Sequence, residues 1–440
     1  SAPGRANKYV AHAFRSRIAL QAYAYTKDAQ YLDIAIASAN AVINSGKYTL
    51  ASADNFGNMF LPAGQNDREI ILGHYRLKLN TSVANFNEMI RVVPNINNNE
   101  VRAVGGRLFT DAKGRTFEGW ASYFPTQDLI DQYLVVDQND HTAKPWYETS
   151  QFLNNVEDGN IANLTEGSLN TIRHKVPEAA DLGTNAKGNI ITRYGKIKSS
   201  ATETNISNLM YQHRDARFYH TIVYDQSSWL NEEVETNICG NLWAGVREGQ
   251  SDSWYTTASG YYWRKAVTQV EPRVYADNKL DYHFVVIRLG EMYMNLAEAY
   301  LLKGDIGQAV TALNKTRVVH GNLPASTAGT LADAWKDYIR ERSVEMAYEG
   351  DLYWSYLRWG QYGGDANGGA AAGAVVKALN TPVHKIQITK DRKQFFIAQI
   401  TRNGAWERTF TTKRYLMPIP QGTLDKRAAS GINDAQNEGW

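Results

Sequence analysis

Apolar and polar positions alternate with the period of an α-helix along the stretch from Val286 to Trp359. Its first part reads IRLGEMYMNLAEAYLLKGDIGQAVTALNKTR, in which apolar and small residues recur every three or four positions. This spacing predicts two consecutive helices. Ala297 and Ala309 would let those helices touch, and Gly304-Asp305 fits the turn between them. The pattern therefore predicts a closely packed helix pair.

The offsets within this pair suit a tetratricopeptide unit. A third helix is predicted to begin after Thr330, because Thr330-Leu-Ala-Asp333 is a capping-box pattern. Residues 4–47 show the same spacing on either side of Thr26-Lys27-Asp28, which predicts a further helical hairpin. The sequence thus predicts a tetratricopeptide-like helical block over 285–360 and a hairpin over 4–47.

The remaining segments are less periodic. Residues 136–284 contain clusters of Asn, Gly, Asp and Ser, which predict a loop-rich insertion. Residues 383–440 contain an alternating stretch with aromatic and β-branched residues, which predicts a small C-terminal hairpin followed by a tail. We predict one domain over 1–440 of the mainly α class. Its scaffold would be a tetratricopeptide-like α-α superhelix that carries an irregular insertion and a few short β-hairpins.

The composition of the chain limits the kinds of partner that the protein is expected to bind. The chain has 440 residues, of which 43% are hydrophobic, so it can bury a large core. Its 47 Lys and Arg against 45 Asp and Glu give a formal net charge of +2, which argues against nucleic-acid binding. The single cysteine, Cys239, can form no internal disulfide and is expected to be a small buried residue. The sequence shows neither a signal peptide nor an apolar window of about 18 to 20 residues.

No motif in the chain predicts catalysis, a metal site or a cofactor. HExxH, GxSxG and CxxC are all absent from the sequence. Glu341, Glu345 and Glu349 follow one another at four-residue steps and could suggest paired catalytic carboxylates. Because Arg340 and Arg342 are interleaved with them, we interpret these acids as structural ion pairs.

The chemical signal lies in the aromatic residues, since the chain has 11 Trp, 26 Tyr and 13 Phe. Many fall in the loop-rich insertion, where no helical spacing requires them. Flat rings cover the C–H faces of sugars, and amides and carboxylates bond the hydroxyls. Within GYYWRK we interpret Tyr261, Tyr262 and Trp263 as core. The predicted glycan-binding residues are Trp229, Trp243, Trp254, Tyr255, Asn231, Asn241 and Asp252.

Several motifs together resemble the SusD/RagB family, the surface glycan-binding lipoproteins of Bacteroidetes. The matching positions are Ile287 to Glu291, Ala297 to Ala299, Leu313-Asn314, Arg317, Glu341-Arg342, Glu345, Glu349-Gly350, Arg358-Trp359, Tyr415 to Pro420 and Asn437 to Trp440. Upstream, GRANKYVAHAFRSRIALQAYAYT, FGNMF, EIILGHYR and PTQDLIDQY also look like family landmarks in the right order. The family's Arg and Asp after the Glu-Gly are Leu352 and Ser355 here, and losing both together is expected of a structural ion pair.

The resemblance implies a function that composition alone does not give. Members of the family bind oligosaccharide or polysaccharide at the cell surface, without catalysis, and deliver it to a SusC-like TonB-dependent transporter. They are held on the outer membrane by a lipid anchor, which together with a helical N-terminal part is expected to precede Ser1. In this family the loop-rich region before the IRL helix commonly supplies aromatic ligands, and Trp229 to Tyr255 fall there.

Two other classes of function stay open from the residues alone. One is a glycoside hydrolase that uses two of the acids Glu232, Glu233, Glu235 and Asp252, although three of them are crowded in NEEVE. The other is a solenoid scaffold for protein interactions, in which the aromatic residues contact a partner protein. Linear spacing of the rings does not encode which glycan is bound, and no DxDxDG loop predicts calcium.

Overall fold

This computed structural model describes residues 4–78, 89, 91–110, 115–163, 191–243, 256–268, 281–400 and 408–440. The helices in these ranges are α1 (Lys8–Thr26), α2 (Gln30–Ile43), α3 (Asn98–Ala103), α4 (Gln127–Ile130), α5 (Ser150–Asn155), α6 (Ile206–Tyr211), α7 (Ala216–Thr221), α8 (Leu289–Leu302), α9 (Ile306–Val319), α10 (Leu331–Glu345), α11 (Leu352–Tyr362) and α12 (Gln421–Ala429). The strands are β1 (Ile70–Arg76), β2 (Asn95–Asn97), β3 (Arg115–Glu118), β4 (Val135–Val136), β5 (Ala143–Lys144), β6 (Val156–Asp158), β7 (Ile191–Ile197), β8 (Ile222–Val223), β9 (Ser228–Trp229), β10 (Glu232–Glu233), β11 (Tyr262–Trp263), β12 (Tyr282–Arg288), β13 (His384–Ile388) and β14 (Gln394–Gln399).

The helical half of the molecule is built from α1, α2 and α8 to α11. Asn7 caps α1 by accepting hydrogen bonds from the backbone N–H groups of Tyr9 (2.8 Å) and Val10 (3.2 Å). Lys27 ends α1 in the left-handed region, with φ of 59°, and turns the chain into α2. Helix α2 then packs against both α1 and α8, so the hairpin at the start of the chain joins the later helical block.

The pair α8–α9 forms as the spacing predicts. Ala297 and Ala309 are both fully buried at the contact between helices. Gly304 makes the turn with φ of +76°, a conformation that favours glycine. The Asp305 side chain caps α9 by accepting a hydrogen bond from the Gln308 N–H (3.1 Å). The Thr330 hydroxyl caps α10 by accepting a hydrogen bond from the Asp333 N–H (3.1 Å). These contacts confirm the predicted mainly α, tetratricopeptide-like fold.

Buried charges fix the helices against one another. The Glu298 carboxylate of α8 accepts from the Arg358 guanidinium (2.9 and 3.0 Å) and the Tyr362 hydroxyl (2.8 Å) of α11, and from the Tyr338 hydroxyl of α10. Burial alone would raise the pKa of Glu298, but Arg358 and Arg342 lower it to about 2. The carboxylate is therefore held charged at the centre of three helices.

A second buried cluster joins the helical half to the loop-rich half. Glu341 and Glu345 of α10 accept from the Arg217 guanidinium of α7 at 2.5 and 2.7 Å. Glu349 pairs with Lys265 (2.6 Å) and Arg288 (2.8 Å). The three acids form structural ion pairs as predicted, but their partners are not the interleaved arginines, since Arg342 pairs instead with Asp351 (2.7 Å). Helix α10 ends at Glu345, and Glu349 lies in the following turn.

The loop-rich half contains short strands around its own core. Its largest sheet has four strands in the order β13-β14-β7-β6, all antiparallel neighbours. The core beside it includes Trp146 and Phe395, together with Tyr261, Tyr262 and Trp263, which were predicted to be core. Cys239 is buried here as expected. Strand β1 pairs with β12 next to α8, so this pair links the two halves.

Candidate ligand-binding cleft

A cleft of about 770 Å³ opens where the helical half meets the loop-rich half. The segment before α4 supplies Tyr123 and Phe124, and α4 supplies Asp128. Trp263 comes from β11, and Tyr348 comes from the turn between α10 and α11. Clefts between packed substructures are common positions for small-ligand sites. We call this the aromatic cleft, and its lining residues are Ser122, Tyr123, Phe124, Pro125, Thr126, Asp128, Leu129, Gln132, Trp263, Ser343, Tyr348, Leu352, Tyr356, Ala378, Thr381, Val383, Ile400 and Arg408.

One part of the wall is a stacked aromatic pair. The rings of Trp263 and Tyr348 lie 4.6 Å apart with an interplanar angle of 18°. Tyr348 has φ of +62°, an uncommon conformation for a bulky residue. Strained backbone of this kind persists where surrounding contacts enforce it, and it is concentrated at ligand sites. The stack is therefore a fixed surface.

Tyr123 is the open ring of the cleft. Its side chain is 50% exposed, although its position is held from two sides. The Arg91 guanidinium donates to the Tyr123 hydroxyl (2.9 Å), and the Tyr123 N–H donates to the Arg91 carbonyl (3.1 Å). A ring that is exposed yet oriented can stack on a ligand with little further loss of conformational entropy.

The polar groups of the cleft centre on Asp128. Its carboxylate accepts from the ring Nδ1 of His384 (2.7 Å) and from the backbone N–H of His384 (2.7 Å). Burial would raise the pKa of Asp128, but the hydrogen bonds from His384 lower it below its ordinary value. The hydrogen bond to Asp128 in turn raises the pKa of His384. With 44% of its side chain exposed, the Asp128 carboxylate remains accessible to hydroxyl donors.

Tyr356, Ser343 and Arg408 add hydroxyl and guanidinium groups to the same cleft. Burial raises the pKa of the Tyr356 hydroxyl, while the nearby Arg408 charge and a hydrogen bond with Ser343 oppose the rise. The Tyr356 hydroxyl therefore stays protonated and can donate as well as accept. The cleft combines apolar rings with a few oriented polar groups, an arrangement that suits a flat ligand with many hydroxyls.

The structure describes four of the seven residues predicted for the glycan site. Trp229 and Trp243 are only 1% and 2% exposed, and both belong to the core of the loop-rich half. The Trp229 ring packs beside Tyr262, with ring centroids 5.6 Å apart. Neither indole offers an open face for stacking as it stands, because core packing covers it.

The two described polar residues of the predicted site differ in exposure. Asn241 is buried and braces a turn, since its amide donates to the Glu233 carbonyl (3.0 Å) and accepts from the Glu235 N–H (2.8 Å). Asn231 is exposed, with φ of +63°. Trp254, Tyr255 and Asp252 lie outside the described residues. The assignment of the seven residues to a glycan site stays a prediction.

The acids of NEEVE each have a partner of their own. Glu232 accepts from the Thr110 hydroxyl (2.7 Å), and Glu233 pairs with Arg107. Glu235 accepts from Arg392 at 3.2 Å. Each of these three carboxylates is thus engaged with a different donor of the protein. Asp252, the fourth acid of the hydrolase hypothesis, lies outside the described residues.

Comparison with known proteins decides the family. The model of the SusD family matches residues 79–440, well over half of the chain. The chain belongs to the SusD family. Among proteins with curated descriptions, none matches this SusD-family chain. No helix in the described ranges is long and apolar enough to cross a membrane.

Solved structures share the fold of this SusD-family protein. A SusD-like protein from Bacteroides fragilis is 19% identical, with a TM-score of 0.63 over 100% of this chain and 66% of its own. A SusD-like carbohydrate-binding protein from the same species is 16% identical, with a TM-score of 0.56 over 96% and 64%. A SusD superfamily protein from Bacteroides vulgatus is 16% identical, with a TM-score of 0.50 over 100% and 64%. The chain therefore spans about two thirds of the length of these relatives.

None of the residues that line the aromatic cleft is among the seven predicted for the glycan site. Tyr123 lies two residues before the PTQDLIDQY landmark, and Asp128 lies within it. Tyr348 lies within ERSVEMAYEGD. The signal in the sequence is an aromatic residue within two positions of a SusD-family landmark, since the scaffold fixes where such a ring lies. Contact between Tyr348 and Trp263, which are distant in sequence, follows only from the fold.

Geometry alone marks one possible metal cluster in the described part of the chain. One ligand atom each from Glu69, His320 and Glu345 lies within 4.8 Å of the others. Both ring nitrogens of His320 already contact these carboxylates at 2.9 Å, and Arg288 donates to both acids at 2.8 and 2.5 Å. We interpret the cluster as an ion network, because a cation would have to displace the imidazole proton and face a buried guanidinium.

Proposed function

We propose that this SusD-family protein binds oligosaccharide or polysaccharide without cleaving it, and that the aromatic cleft contacts the sugar. The observation that carries the proposal is the half-exposed Tyr123 ring, which lines the same cleft as the Asp128 carboxylate and the Trp263–Tyr348 stack. A related structure is described as a carbohydrate-binding protein, which supports the same ligand class.

The chemistry of the cleft matches the two kinds of surface on a pyranose. The C–H face of a sugar can lie on the Tyr123 ring, where burial of apolar area is favourable. Hydroxyls on the rim of the sugar can donate to Asp128 and exchange hydrogen bonds with Tyr356. An open cleft buries only part of a flexible glycan, so dissociation constants of order micromolar to millimolar are expected.

The same arrangement supports the proposal that binding occurs without catalysis. Among the described residues that line the cleft, Asp128 is the single carboxylate. Its pKa is lowered by His384, so it is charged near neutral pH. A glycosidase needs two carboxyl groups and one of them protonated. The described residues of the aromatic cleft supply neither a second carboxyl group nor a protonated one.

We also propose the cellular role that the family implies. The protein would be held at the outer membrane surface by a lipid anchor and would deliver the glycan to a SusC-like TonB-dependent transporter. Asn231, together with Trp254, Tyr255 and Asp252, is proposed as a second contact region for a longer glycan chain. Support for both statements comes from family membership.

A polysaccharide panel tests the proposal. Starch, xylan, mixed-linkage β-glucan, pectin and chondroitin sulfate would be screened by affinity electrophoresis, and hits measured by calorimetry. A stacking ring contributes about 0.5–1.5 kcal/mol, so Tyr123→Ala should weaken binding roughly two- to tenfold. Trp354→Ala is the matched control, because Trp354 is 46% exposed on α11 but does not line the cleft.

Three outcomes would contradict parts of this proposal. Equal binding by wild type and Tyr123→Ala would place the sugar elsewhere. Shortened products after long incubation, absent with Asp128→Asn, would make the protein a hydrolase. Failure to bind any polysaccharide, combined with co-purification of a transporter, would favour a protein-interaction scaffold.

A further inference from the structure

The Asp128 carboxylate of the aromatic cleft is hydrogen-bonded at both oxygens by a single residue. Asp128 lies in the first turn of α4, and His384 is the first residue of β13. The backbone N–H of His384 donates to one carboxylate oxygen (2.7 Å), and its ring Nδ1 donates to the other (2.7 Å). Because two bonds from one neighbour fix the plane of a carboxylate, His384 sets the direction of both oxygens. We call this pair the Asp128–His384 clamp.

The fold holds both ends of the clamp in place. Gln127, the neighbour of Asp128 on α4, is fully buried; its amide donates to Asp131 (2.7 Å), and its carbonyl accepts from the Tyr261 hydroxyl (2.7 Å). Strand β13 packs against α4 and pairs along its whole length with β14. The carboxylate is therefore oriented before a ligand arrives, so binding does not carry the entropic cost of ordering it.

The two acids of the α4 region differ in what they leave free. Asp131 accepts from the Trp146 indole (2.7 Å) and from the Gln127 amide (2.7 Å), so its carboxylate serves the internal packing. Among the described residues, no side chain other than His384 donates to the Asp128 carboxylate, and 44% of the Asp128 side chain is exposed. Asp128 is thus held by the protein and still open to a ligand.

The chemistry of an oriented carboxylate favours a pair of donors. An ionised carboxylate has two oxygens with about four lone-pair positions, so the clamp leaves acceptor capacity on both oxygens of Asp128. Two donors that stand side by side can bond both oxygens at once, as the two N–H groups of a guanidinium do. In a sugar, hydroxyls on neighbouring ring carbons are donors of this kind.

The charges around the cleft favour neutral hydroxyls over a cationic amino group. The Arg408 guanidinium lines the same cleft, and its charge acts on the Tyr356 hydroxyl beside it. An amino sugar attracted to Asp128 would therefore meet a second cation. Hydroxyl groups carry no charge and do not meet this repulsion.

We propose that the aromatic cleft selects glycans whose units keep free hydroxyls on two neighbouring ring carbons, and that His384 is the positioning residue for this selection. The two hydroxyls would donate to the two oxygens of Asp128, while the C–H face of the sugar lies on the Tyr123 ring. The inference rests on the proposed function and names the feature of the glycan that the cleft recognises. Within a chain, 1,4-linked pyranoses offer such a pair at C2 and C3, and 1,3-linked pyranoses do not.

The first arm of the test compares ligands. A β-1,4-linked xylan and a β-1,3-linked xylan consist of the same sugar, but only the first keeps neighbouring free hydroxyls within the chain. Both would be measured by calorimetry. Every polysaccharide that binds would be measured again after periodate oxidation and borohydride reduction, which cut the bond between neighbouring hydroxyl-bearing carbons. Binding should weaken about tenfold or more, because a hydrogen bond to a charged group is lost.

The second arm compares variants of the clamp. Asp128→Asn should weaken binding about tenfold, and His384→Leu, which keeps the backbone bond, roughly two- to tenfold. In His384→Asn the side-chain amide N–H takes the place of Nδ1, so this variant should lose less affinity than His384→Leu. His384→Gln, whose amide lies nearer to the position of Nε2, should lose as much as His384→Leu. His74→Leu is the control, because His74 is exposed on β1 and does not line the cleft.

Thermal unfolding of each variant separates orientation from stability. A loss of affinity without a lower melting temperature is the expected result, together with a smaller preference for native over oxidised polysaccharide in Asp128→Asn and His384→Leu. Should His384→Leu not fold, the comparison of His384→Asn with His384→Gln decides, since both are polar. Equal affinity of all His384 variants and wild type would overturn the positioning role. Tighter binding of chitosan than of any neutral polysaccharide would overturn the choice of ligand.

This inference and the proposed function fail in different ways. Binding that needs Tyr123 but survives periodate oxidation would refute the selection of neighbouring hydroxyls and leave the proposed function standing. Binding that oxidation abolishes but Asp128→Asn leaves unchanged would refute the role of the clamp alone. Absence of binding to any glycan would refute both.

Discussion

Replacing His320 by glutamine tests whether the buried ion network depends on a protonated imidazole. His320 is fully buried, with Nδ1 2.9 Å from Glu345 and Nε2 2.9 Å from Glu69. Burial alone would lower the pKa of His320, but the two carboxylates outweigh it and raise the pKa to about 9. The ring is therefore a cation at neutral pH, and each N–H donates to a carboxylate.

The stabilisation and its pH range follow from this pKa. The pKa of a histidine in the unfolded chain is near 6.5, so folding raises it by about 2.5. This difference corresponds to about 3 kcal/mol in the free energy of unfolding. Because the folded-state pKa is the higher one, this stabilisation is fully present below about pH 6.5. It declines as the pH rises from there through about 9, since the folded protein then loses a proton that the unfolded chain has already lost.

Urea unfolding at pH 6, 7.5 and 10 measures the effect. The free energy of unfolding of wild type should exceed that of His320→Gln by about 3 kcal/mol more at pH 6 than at pH 10. His74→Gln is the control, because His74 is exposed on β1. A stability difference between wild type and His320→Gln that is the same at all three pH values would refute the reasoning, since it would mean that His320 is neutral in the folded protein.

Three further predictions concern the scaffold. Ala297→Leu overfills the α8–α9 contact and should lower the free energy of unfolding by about 1–3 kcal/mol, measured by urea titration against an exposed Ala332→Leu control on α10. Trp229→Ala should cost about 3–5 kcal/mol because it empties a core position, and a loss below about 1 kcal/mol would contradict its burial. Burial alone would raise the pKa of Glu69, but its charged partners, of which His320 has the largest effect, lower it to about 2. In acid unfolding, the free energy of unfolding of wild type relative to Glu69→Gln should therefore fall by about 3 kcal/mol as the pH decreases from about 4.5 to about 2.

Much of the helical half could be predicted from the sequence because its signals are local. The cap at Thr330 and the turn at Gly304 each depend on residues within four positions of one another. The small residues Ala297 and Ala309 also mark a helix contact from spacing alone. Local rules of this kind survive folding, because the tertiary structure uses the same faces that the periodicity defines.

The candidate site was harder to predict because the local sequence does not determine whether a side chain is buried. Trp229 and Trp243 lie among loop residues, yet both fill the core of the loop-rich half. A long loop without periodicity needs a core of its own, and tryptophan is a common choice for it. Tyr123 carries no stronger local signal than Trp229, but it is open. Exposure depends on which distant segments cover a ring, and spacing does not encode that.

The ion network and the aromatic cleft are physically continuous. Lys265 follows the Trp263 ring by two residues, and Glu349 directly follows Tyr348. These two charges meet at 2.6 Å, and Arg288 donates to Glu349 at 2.8 Å. The pairing holds the chain on both sides of the aromatic stack, which explains how Tyr348 is kept at a positive φ.

Burial lowers the pKa of the Lys265 ammonium to about 8, although Glu349 opposes the shift. A lysine with a pKa this low is close to losing its charge in mildly alkaline solution, and its pairing with Glu349 would then weaken. His320, whose pKa is about 9, belongs to the same network. Lys265 and His320 therefore lose their positive charges over the same mildly alkaline pH range. Loss of the Lys265 charge would weaken the ion pair that braces the Trp263–Tyr348 stack, so the position of this stack in the cleft wall is linked to the protonation of Lys265.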